Sequence, residues 1–244
     1  MTIAERIAIT QEKIAAACAR VGRSADEVTL IAVSKTHSAE AVLEALAAGL
    51  QHFGENRVEE SAIKIPLVTA AADRPVIWHM IGHLQSRKAR DAAPLFHWVH
   101  SVDSVKLAER LSRSVVESGR TLDILLEINV SGEASKAGLA AAAWRTDAAV
   151  CDALAWSIEQ IGALPALRVR GLMTMAPIVE NAEEARPVFT ELAALREQLS
   201  RQTGLHLPDL SMGMTDDYPV AVEEGATMVR IGRAIFGERT VSNT

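Results

Sequence analysis

The stretch VTLIAVSKT, residues 28–36, determines the fold that this sequence is expected to adopt. Its first six residues are all apolar or Thr, and four of them are β-branched, namely Val28, Thr29, Ile31 and Val33. Such residues favour a pleated strand over a helix. Because the apolar run does not alternate with polar residues, it is typical of a parallel strand that is covered on both faces.

Lys35 lies at the carboxyl end of this strand, just before SAEA at residues 38–41 opens an amphipathic helix. An ammonium group at the end of a buried strand is costly unless it has a partner or loses its charge. Two interpretations are open at this point. Lys35 either extends its charged end into solvent or is a desolvated amine that forms an imine with an aldehyde.

The composition indicates a globular protein and argues against nucleic-acid binding. The 244 residues are 49% hydrophobic and 23% charged, which is typical of a globular protein with a sizeable core. A net charge of −6, the lack of a Lys/Arg run and an aromatic content of 4% argue against a nucleic-acid surface. We therefore expect no nucleic acid among the partners.

The two cysteines and the first residues indicate the compartment. Cys18 and Cys151 lie in helix-like segments and show no metal-ligand spacing, which is typical of a reduced interior. The first 22 residues mix charges into a helical period, so they do not form a signal peptide. No stretch approaches the ~20 apolar residues that cross a bilayer. We expect a cytoplasmic protein with no membrane partner.

Eight short apolar segments recur along the chain at spacings typical of βα units. They match one (β/α)8 barrel of the TIM type, an α/β fold, over a single domain of residues 1–244 with an N-terminal helix, about 2–21, packed on it. A doubly wound open sheet is the alternative, but it usually has a glycine fingerprint after its first strand, which is absent here. The predicted strands span residues 28–36, 51–53, 75–81, 96–102, 121–130, 167–173, 207–211 and 227–231.

Caps and breakers predict the bounds of the helices. Pro66 is expected to close a helix that begins near Arg57, and the Ala-rich residues 140–162 are expected to form one helix. Three other helices have two candidate residues at their start, which are Asp103 or Ser104, Asn181 or Glu183, and Thr215 or Asp216.

In such a barrel the carboxyl ends of all strands face one mouth. Two glycine turns are expected there, SMGMTD at residues 211–216, where Gly213 lets the backbone bend towards a ligand, and Gly232-Arg233 after the last strand. Each alone is compatible with an ordinary connection. Together they occupy the loops that usually form the phosphate cradle of a barrel. Other residues expected on this rim are Lys35, Asn56, 79–83, Asn129, Met173 and Ser211.

A reactive amine that faces a phosphate cradle predicts pyridoxal 5′-phosphate (PLP) as the cofactor, with its aldehyde on Lys35. Arg230 lies on the last strand and needs an acceptor if it is buried. That acceptor is either the ring nitrogen of PLP, which would then stay unprotonated, or an acidic neighbour in a structural salt bridge.

Other polar residues have simpler interpretations. His79 and His83 have a metalloprotease-like spacing, but HMIGH lacks the Glu and crosses a strand end, so no metal site is predicted. Core packing is expected for His79 and Met173, and a hydrogen bond at the rim for His83. The pair at residues 216–217 is expected to cap a helix rather than to act as catalytic carboxylates.

Seven motifs give the chain a resemblance to the YggS/PROSC family, also called pyridoxal phosphate homeostasis proteins. They span nearly the whole sequence in the family's order. The motifs are AVSKT (32–36), FGENRVEE (53–60), WHMIGHLQSRK (78–88), INVSGEASKAG (128–138), RGLMTM (170–175), LSMGMTDD (210–217) and VRIGRAIFG (229–237).

The resemblance implies a PLP barrel of fold type III, like the N-terminal domain of alanine racemase but without the C-terminal β domain. It implies a Schiff base between PLP and Lys35, with Arg230 at the ring nitrogen and Asn56 near the ring. The phosphate would lie by residues 211, 213, 232 and 233. The full set of expected cofactor-binding residues is Lys35, Asn56, His79, Met173, Ser211, Gly213, Arg230, Gly232 and Arg233.

Three functions follow. A homeostasis protein would hold PLP and deliver it to apo PLP-dependent enzymes, as a monomer. An amino-acid racemase would need a second acid or base opposite Lys35, but the only tyrosine is Tyr218 and no β domain is expected after the barrel. A sugar-phosphate enzyme would use Lys35 on a carbonyl without PLP. The homeostasis protein is favoured, with no catalytic residue assigned.

Overall fold

The computed structural model describes residues 1–133 and 136–238. Within these residues eight parallel strands form a ring, because the pairing of the fourth strand with the fifth closes the sheet. A short strand, the sixth in chain order, pairs only with the fifth. The predicted (β/α)8 barrel is therefore confirmed and the open sheet is excluded. The strands are β1 (Thr29–Val33), β2 (His52–Glu55), β3 (Ile77–Met80), β4 (Trp98–Val102), β5 (Leu122–Asn129), β6 (Leu139–Ala140), β7 (Leu167–Met173), β8 (Asp209–Ser211) and β9 (Met228–Ile231).

Helices surround the ring and cover its outer face. Short 3-10 turns at Ala25–Glu27, Ser86–Lys88 and Ala182–Ala185 join some of them to the strands. The helices are α1 (Ile3–Arg20), α2 (Ala39–Ala47), α3 (Val58–Ala71), α4 (Ala89–Ala92), α5 (Val105–Glu117), α6 (Ala148–Gly162), α7 (Arg186–Thr203), α8 (Tyr218–Glu223) and α9 (Arg233–Phe236). Among the described residues, no helix is long and apolar enough to span a membrane.

The first helix, α1, lies against α8, α9 and α2. Its buried face carries Ile7, Ile14 and Cys18. A capping box between Thr2 and Glu5 starts the helix. The predicted helix over about 2–21 is thus present, and it packs on the side of the barrel.

The prediction that Pro66 closes a helix was wrong, because α3 continues to Ala71. Proline inside a helix costs about 3 kcal/mol through its missing N–H and its clash with the preceding turn. Ile65 and Val68 are both buried on either side of it. Burial of this apolar face offsets the cost, so the helix passes through the proline.

The prediction of one helix over residues 140–162 was also wrong. Leu139 and Ala140 pair with the end of β5, and turns follow before α6 begins. The Asp147 carboxylate accepts a hydrogen bond of 2.9 Å from the backbone N–H of Ala149 and fixes the start of the helix. The strong helix propensity of alanine was outweighed by this cap and by strand pairing.

The structure shows which candidate residue lies at the start of two other helical segments. Ser104 caps α5, as one of the two candidates predicts. Asn181 caps the 3-10 turn Ala182–Ala185, and the long helix α7 follows that turn and ends at the left-handed Gly204.

The interior of the barrel differs from its outer layer. The space between strands and helices is filled with apolar side chains, whereas the lumen holds a small apolar cluster of Ile31, Leu125, Met173 and Met228. Lumens of TIM barrels are usually filled by bulky branched residues. Here Trp98 packs against the apolar cluster, and the lumen also holds buried polar side chains, among them His79, His100, Ser211 and Arg230.

Candidate functional site

Lys35 follows β1 and is half-buried at the mouth of the barrel. It lines a cavity of about 380 Å³ together with Gly232 and Arg233. The next residue, Thr36, has a φ of 66°, a left-handed conformation that costs about 1–3 kcal/mol in a residue other than glycine. Its backbone N–H donates to Glu60 Oε1 over 2.6 Å. The strand end that carries Lys35 is thus held in one conformation by a carboxylate from α3.

A buried ion cluster lies under this strand end and was not predicted. Lys64 Nζ, on α3, donates to Glu55 Oε1 and to the carbonyl oxygen of Ser34, both at 2.8 Å, and to Glu60 Oε1 at 3.0 Å. The Ser34 hydroxyl donates to Glu55 Oε1 over 2.7 Å. The spacing of Glu60 and Lys64, four residues apart, is the signal that sequence reasoning missed.

Burial governs the charges in this cluster. It raises the pKa of Glu55, an effect opposed by the ammonium of Lys64 and by the hydroxyl of Ser34. Partial burial acts in the same direction on Glu60, but the Thr36 N–H and Lys64 outweigh it and lower the pKa of Glu60. The cluster ties β1, β2 and α3 together directly beneath Lys35.

Arg230 lies inside the barrel on β9 and is only 4% exposed. One guanidinium nitrogen donates to Ser211 Oγ over 2.6 Å, and another donates to the carbonyl oxygen of Thr174 over 2.9 Å. Burial lowers the pKa of Arg230 to about 10, and the carboxylates of Asp217 and Glu127 oppose this effect. Arg230 therefore remains a cation at neutral pH, with further N–H donors beyond these two bonds.

Three residues expected at the cofactor lie in the lumen. Ser211 is fully buried, and its hydroxyl contacts both Arg230 and His100. Met173 packs in the small apolar cluster of the lumen. His79 is fully buried between two other imidazoles. The partners of the Ser211 hydroxyl in this structure are lumen side chains, and its contact with the phosphate stays a prediction.

The loop after β8 bends as the sequence indicates. Gly213 has a φ of 94°, and a Cβ on it would lie 2.6 Å from the Cβ of Ala221. The Gly213 carbonyl accepts the N–H of Arg230 over 3.0 Å, which fastens this loop to β9. Only glycine fits this conformation and this space.

The prediction that Thr215 or Asp216 caps α8 was wrong. Asp217 is the residue before the helix, and its carboxylate accepts the N–H of Met214 over 2.6 Å within the loop. Asp216 instead pairs with Arg233 at 2.6 Å. Because Arg233 begins α9, this ion pair joins the two loops that were predicted to form the phosphate cradle.

Three buried oxygens near the mouth have no hydrogen-bond partner among the described residues: Glu55 Oε2, within the ion cluster, Asn56 Oδ1 and Glu127 Oε2. Buried polar atoms in native proteins are nearly always satisfied, so Asn56 Oδ1 and Glu127 Oε2 are positions where a bound molecule can supply a donor. The loop of Asn56 touches the next loop, since a Cβ on Gly82 would lie 2.5 Å from the Asn56 carbonyl oxygen.

Glu127 was missed by sequence reasoning, although a lone Glu in the apolar strand LDILLEIN is a signal. Burial and the charge of Asp103 raise its pKa, while Arg230 and His83 lower it. His83 is exposed, and its Nδ1 lies 3.5 Å from the Asp103 carboxylate. Asn129, also expected on the rim, bonds within its own turn to Glu133 and Gly132.

A metal site was not predicted, and the described part of the chain has no group of three or more His, Cys, Asp or Glu side chains that can hold a metal ion. The chemistry at the mouth is that of an amine, a cation and a glycine-rich pair of loops. Such a site suits a phosphorylated carbonyl compound.

Comparison with known proteins agrees with this geometry. The family described as "alanine racemase, N-terminal domain" matches residues 9–240. A pyridoxal phosphate homeostasis protein of Pseudomonas aeruginosa is 46% identical over 238 residues, 98% of this chain and 96% of the relative. The protein of the same name from Escherichia coli is 41% identical over 244 residues and covers 98% of each chain.

Solved structures show the same relationship. PipY of Synechococcus elongatus, solved with PLP bound, is 39% identical and superposes with a TM-score of 0.80 over 97% of this chain and 100% of PipY. An alanine racemase from Clostridium difficile is 12% identical, with a TM-score of 0.67 over 98% of this chain and 58% of the racemase. The second comparison concerns the fold alone.

Proposed function

Because the chain belongs to the family of pyridoxal phosphate homeostasis proteins and contains an alanine racemase N-terminal domain, we propose that it binds PLP at the mouth of the barrel to hold and deliver it. The observation that carries the proposal is the cavity that Lys35 shares with Gly232 and Arg233. The relative PipY, which has been solved with PLP bound, supports it.

The residues at the mouth fit the aldehyde and the phosphate of PLP. The cavity of about 380 Å³ is in the range of small-molecule sites. Lys35 provides an amine for the aldehyde, and the loops at Gly213 and Gly232 provide backbone for the phosphate. Asn56 Oδ1, which is buried without a partner, provides an acceptor that a ligand can satisfy.

Each of these residues has a distinct task in the proposed site. When bound, PLP supplies an aldehyde that amines attack and a ring that withdraws electrons. Lys35 binds the ligand covalently, and the Glu60 contact to Thr36 fixes the direction of its strand end. Arg230 would hold the ring through a hydrogen bond from its guanidinium to the ring nitrogen, which would stay unprotonated because Arg keeps its own proton. The Asp216–Arg233 pair keeps the two loops together.

Holding PLP is supported over racemisation by the position of Tyr218. Its side chain is only 4% exposed, and burial raises the pKa of its hydroxyl. A buried phenol of raised pKa is a poor general base near neutral pH. Glu127, whose Oε2 has no partner among the described residues, is a further candidate acid for racemisation. Assays of amino-acid racemisation therefore belong to the test.

The first experiment follows the ligand spectroscopically. PLP is added to the wild type, to Lys35→Ala and to Lys106→Ala, whose lysine is exposed on α5 and serves as the control. We expect a visible absorbance band, and a pyridoxyl adduct on Lys35 after borohydride reduction, in the wild type and the control. A folded wild type without an adduct on Lys35 would overturn the proposal.

The second experiment separates delivery from catalysis. PLP-loaded protein is mixed with an apo PLP-dependent enzyme, and the recovery of activity is compared with that given by free PLP at the same concentration. We expect direct transfer and no racemisation of alanine or serine. Turnover at about 1 per second or faster would make the protein an enzyme instead.

The proposed function also leads to expectations about the compartment, the oligomeric state and the partners of the protein. We propose that it works in the cytoplasm as a monomer, with apo PLP-dependent enzymes as its partners and with neither nucleic acid nor membrane. Light scattering of the loaded and unloaded protein tests the monomer.

A further inference from the structure

Three histidines cross the lumen of the barrel in a continuous series of hydrogen bonds. His52 Nδ1 lies 3.0 Å from His79 Nε2, and His79 Nδ1 lies 2.9 Å from His100 Nε2. His100 Nδ1 lies 2.9 Å from Ser211 Oγ, which accepts a hydrogen bond from Arg230. We call His52, His79, His100 and Ser211 the histidine relay.

The relay runs from one end of the barrel to the other. His52 is the first residue of β2 and lies at the base, where it lines a cavity of about 780 Å³ with Glu12, Asp26 and Gln51. Arg230 lies near the mouth, two residues beyond Met228, which is level with Ser211 on the neighbouring strand. His79 and His100 fill the space between these ends and are fully buried.

The relay is unusual for a barrel lumen. Branched apolar residues would fill the same volume without any need for hydrogen-bond partners. Both ring nitrogens of His79 and of His100 have a partner within the relay. Stacking of His79 on Trp98 holds its ring in place from one side. A series of satisfied polar groups in this position points to a role at the site above it.

The donors and acceptors fix one direction for the protons. Arg230 can only donate, so Ser211 Oγ accepts its N–H. The Ser211 hydroxyl then donates its own proton to His100 Nδ1. His100 must carry its proton on Nε2, which it donates to His79 Nδ1, and His79 Nε2 donates to His52 Nδ1 in the same way. If His100 Nδ1 instead donated to Ser211, the serine oxygen would accept from both neighbours, and its own proton would have no acceptor within the relay.

Neutral imidazoles are required for this arrangement. Burial lowers the pKa of both His79 and His100 well below the usual value, so both rings are neutral near pH 7. At the base, burial and the neighbouring His97 also lower the pKa of His52. The relay is therefore uncharged up to Arg230.

We propose that His79 and His100 are positioning residues which act through Ser211 to orient the Arg230 guanidinium towards the ring nitrogen of bound PLP, and that His52 extends this relay to the base. The ligand in this inference rests on the proposed function. The direction of the relay does not, because it follows from the side chains alone.

The first test needs no ligand. Two-bond ¹H–¹⁵N NMR spectra of the imidazoles report which nitrogen carries the proton. We expect the Nε2–H form at His52, His79 and His100, with ring protons of His79 and His100 protected from exchange. Exposed His206 is the control, and its ring proton should exchange rapidly. An Nδ1–H form or a charged ring at His79 or His100 near pH 7 would overturn the relay.

The second test measures PLP release from loaded protein. His100→Leu removes both hydrogen bonds of the ring, and we expect about tenfold faster release. His100→Gln keeps an acceptor and a donor on separate atoms and should restore slow release. Ser211→Ala removes the hydroxyl that links His100 to Arg230 and should accelerate PLP release as His100→Leu does. This second variant keeps the test decisive if the leucine variant does not fold. His206→Asn should release PLP as the wild type does.

The outcomes separate the two proposals. Unchanged release from folded Ser211→Ala and His100→Leu would show that the relay does not position Arg230. Equal acceleration in His100→Gln would assign the effect to packing and would also overturn the positioning role. If the wild type takes up no PLP, the proposed function fails, while the NMR experiment still decides the direction of the relay.

Discussion

Replacement of Lys64 by Met should destabilise the protein by about 3–5 kcal/mol, the usual cost of removing one partner of a buried ion pair. The Lys64 side chain is 7% exposed and that of Glu55 is fully buried, so water cannot replace the lost ammonium. Its three acceptors lie at 2.8, 2.8 and 3.0 Å. For a chain of this length the loss corresponds to a decrease in melting temperature of about 6–20 °C.

The destabilisation should depend on pH. Burial already raises the pKa of Glu55 in the folded state, and removal of the opposing Lys64 should raise it further. A carboxyl group whose folded pKa is raised favours the folded state below its unfolded pKa, and this contribution is lost as the pH rises. Lys64→Met should therefore cost more stability at pH 8 than at pH 5.

Urea denaturation at both pH values measures the effect through the midpoint, with an unchanged slope. The double variant Glu55→Gln with Lys64→Met removes both charges and should recover part of the loss. Lys106→Met, at an exposed position, should stay within about 0.5 kcal/mol of the wild type. A loss below about 1 kcal/mol for Lys64→Met at pH 8 would refute the reasoning.

Three further predictions concern the mouth and the lumen. His79 and His100 have lowered pKa values in the folded state, so unfolding takes up protons as the pH falls below 6.5. The free energy of unfolding should therefore decrease by up to about 1.4 kcal/mol for each of these histidines between pH 6.5 and 5.5. Urea denaturation across this range checks it, and a flat profile would contradict it. Gly213→Ala should lower the free energy of unfolding by about 1–3 kcal/mol and weaken PLP binding in an absorbance titration. Gly204→Ala, whose glycine also has a positive φ but lies in open space, should leave PLP binding unchanged. Asn56→Ala should weaken PLP binding about tenfold and leave the melting temperature unchanged, because the buried Oδ1 has no partner within the described chain. A drop in melting temperature would argue against a role in ligand binding alone.

The barrel could be predicted from sequence because its strands are short, mostly apolar and separated by segments with helical periodicity. Residues 167–173 match β7 at both ends, with a turn before Leu167 that sets where the strand begins. Helix starts were less predictable. Asp147 caps α6 although the alanines before it favour helix, and Asp217 lies one residue beyond the predicted cap of α8. Such choices depend on what the neighbouring loops contact.

The positions of the lysine and of the two glycine loops could be predicted because parallel strands in a barrel end at one mouth. The histidine relay could not, because His52, His79 and His100 lie on three strands and show no common spacing. Glu55 illustrates the same limit. Its partner Lys64 lies within the helix that was expected after Arg57, but the sequence does not show that this face of the helix packs over the end of β2. Long-range pairs of this kind depend on strand register, which a single sequence does not specify.

The close approach of Gly82 to the Asn56 carbonyl limits how this fold can diversify. Any side chain at position 82 would press on the backbone of the neighbouring loop, because its Cβ would come within 2.5 Å of that oxygen. The close approach of these two loops at the mouth therefore depends on glycine at position 82. Variation among descendants of this sequence should accumulate in loops elsewhere on the rim, and a change of ligand size should require both loops to be remodelled together.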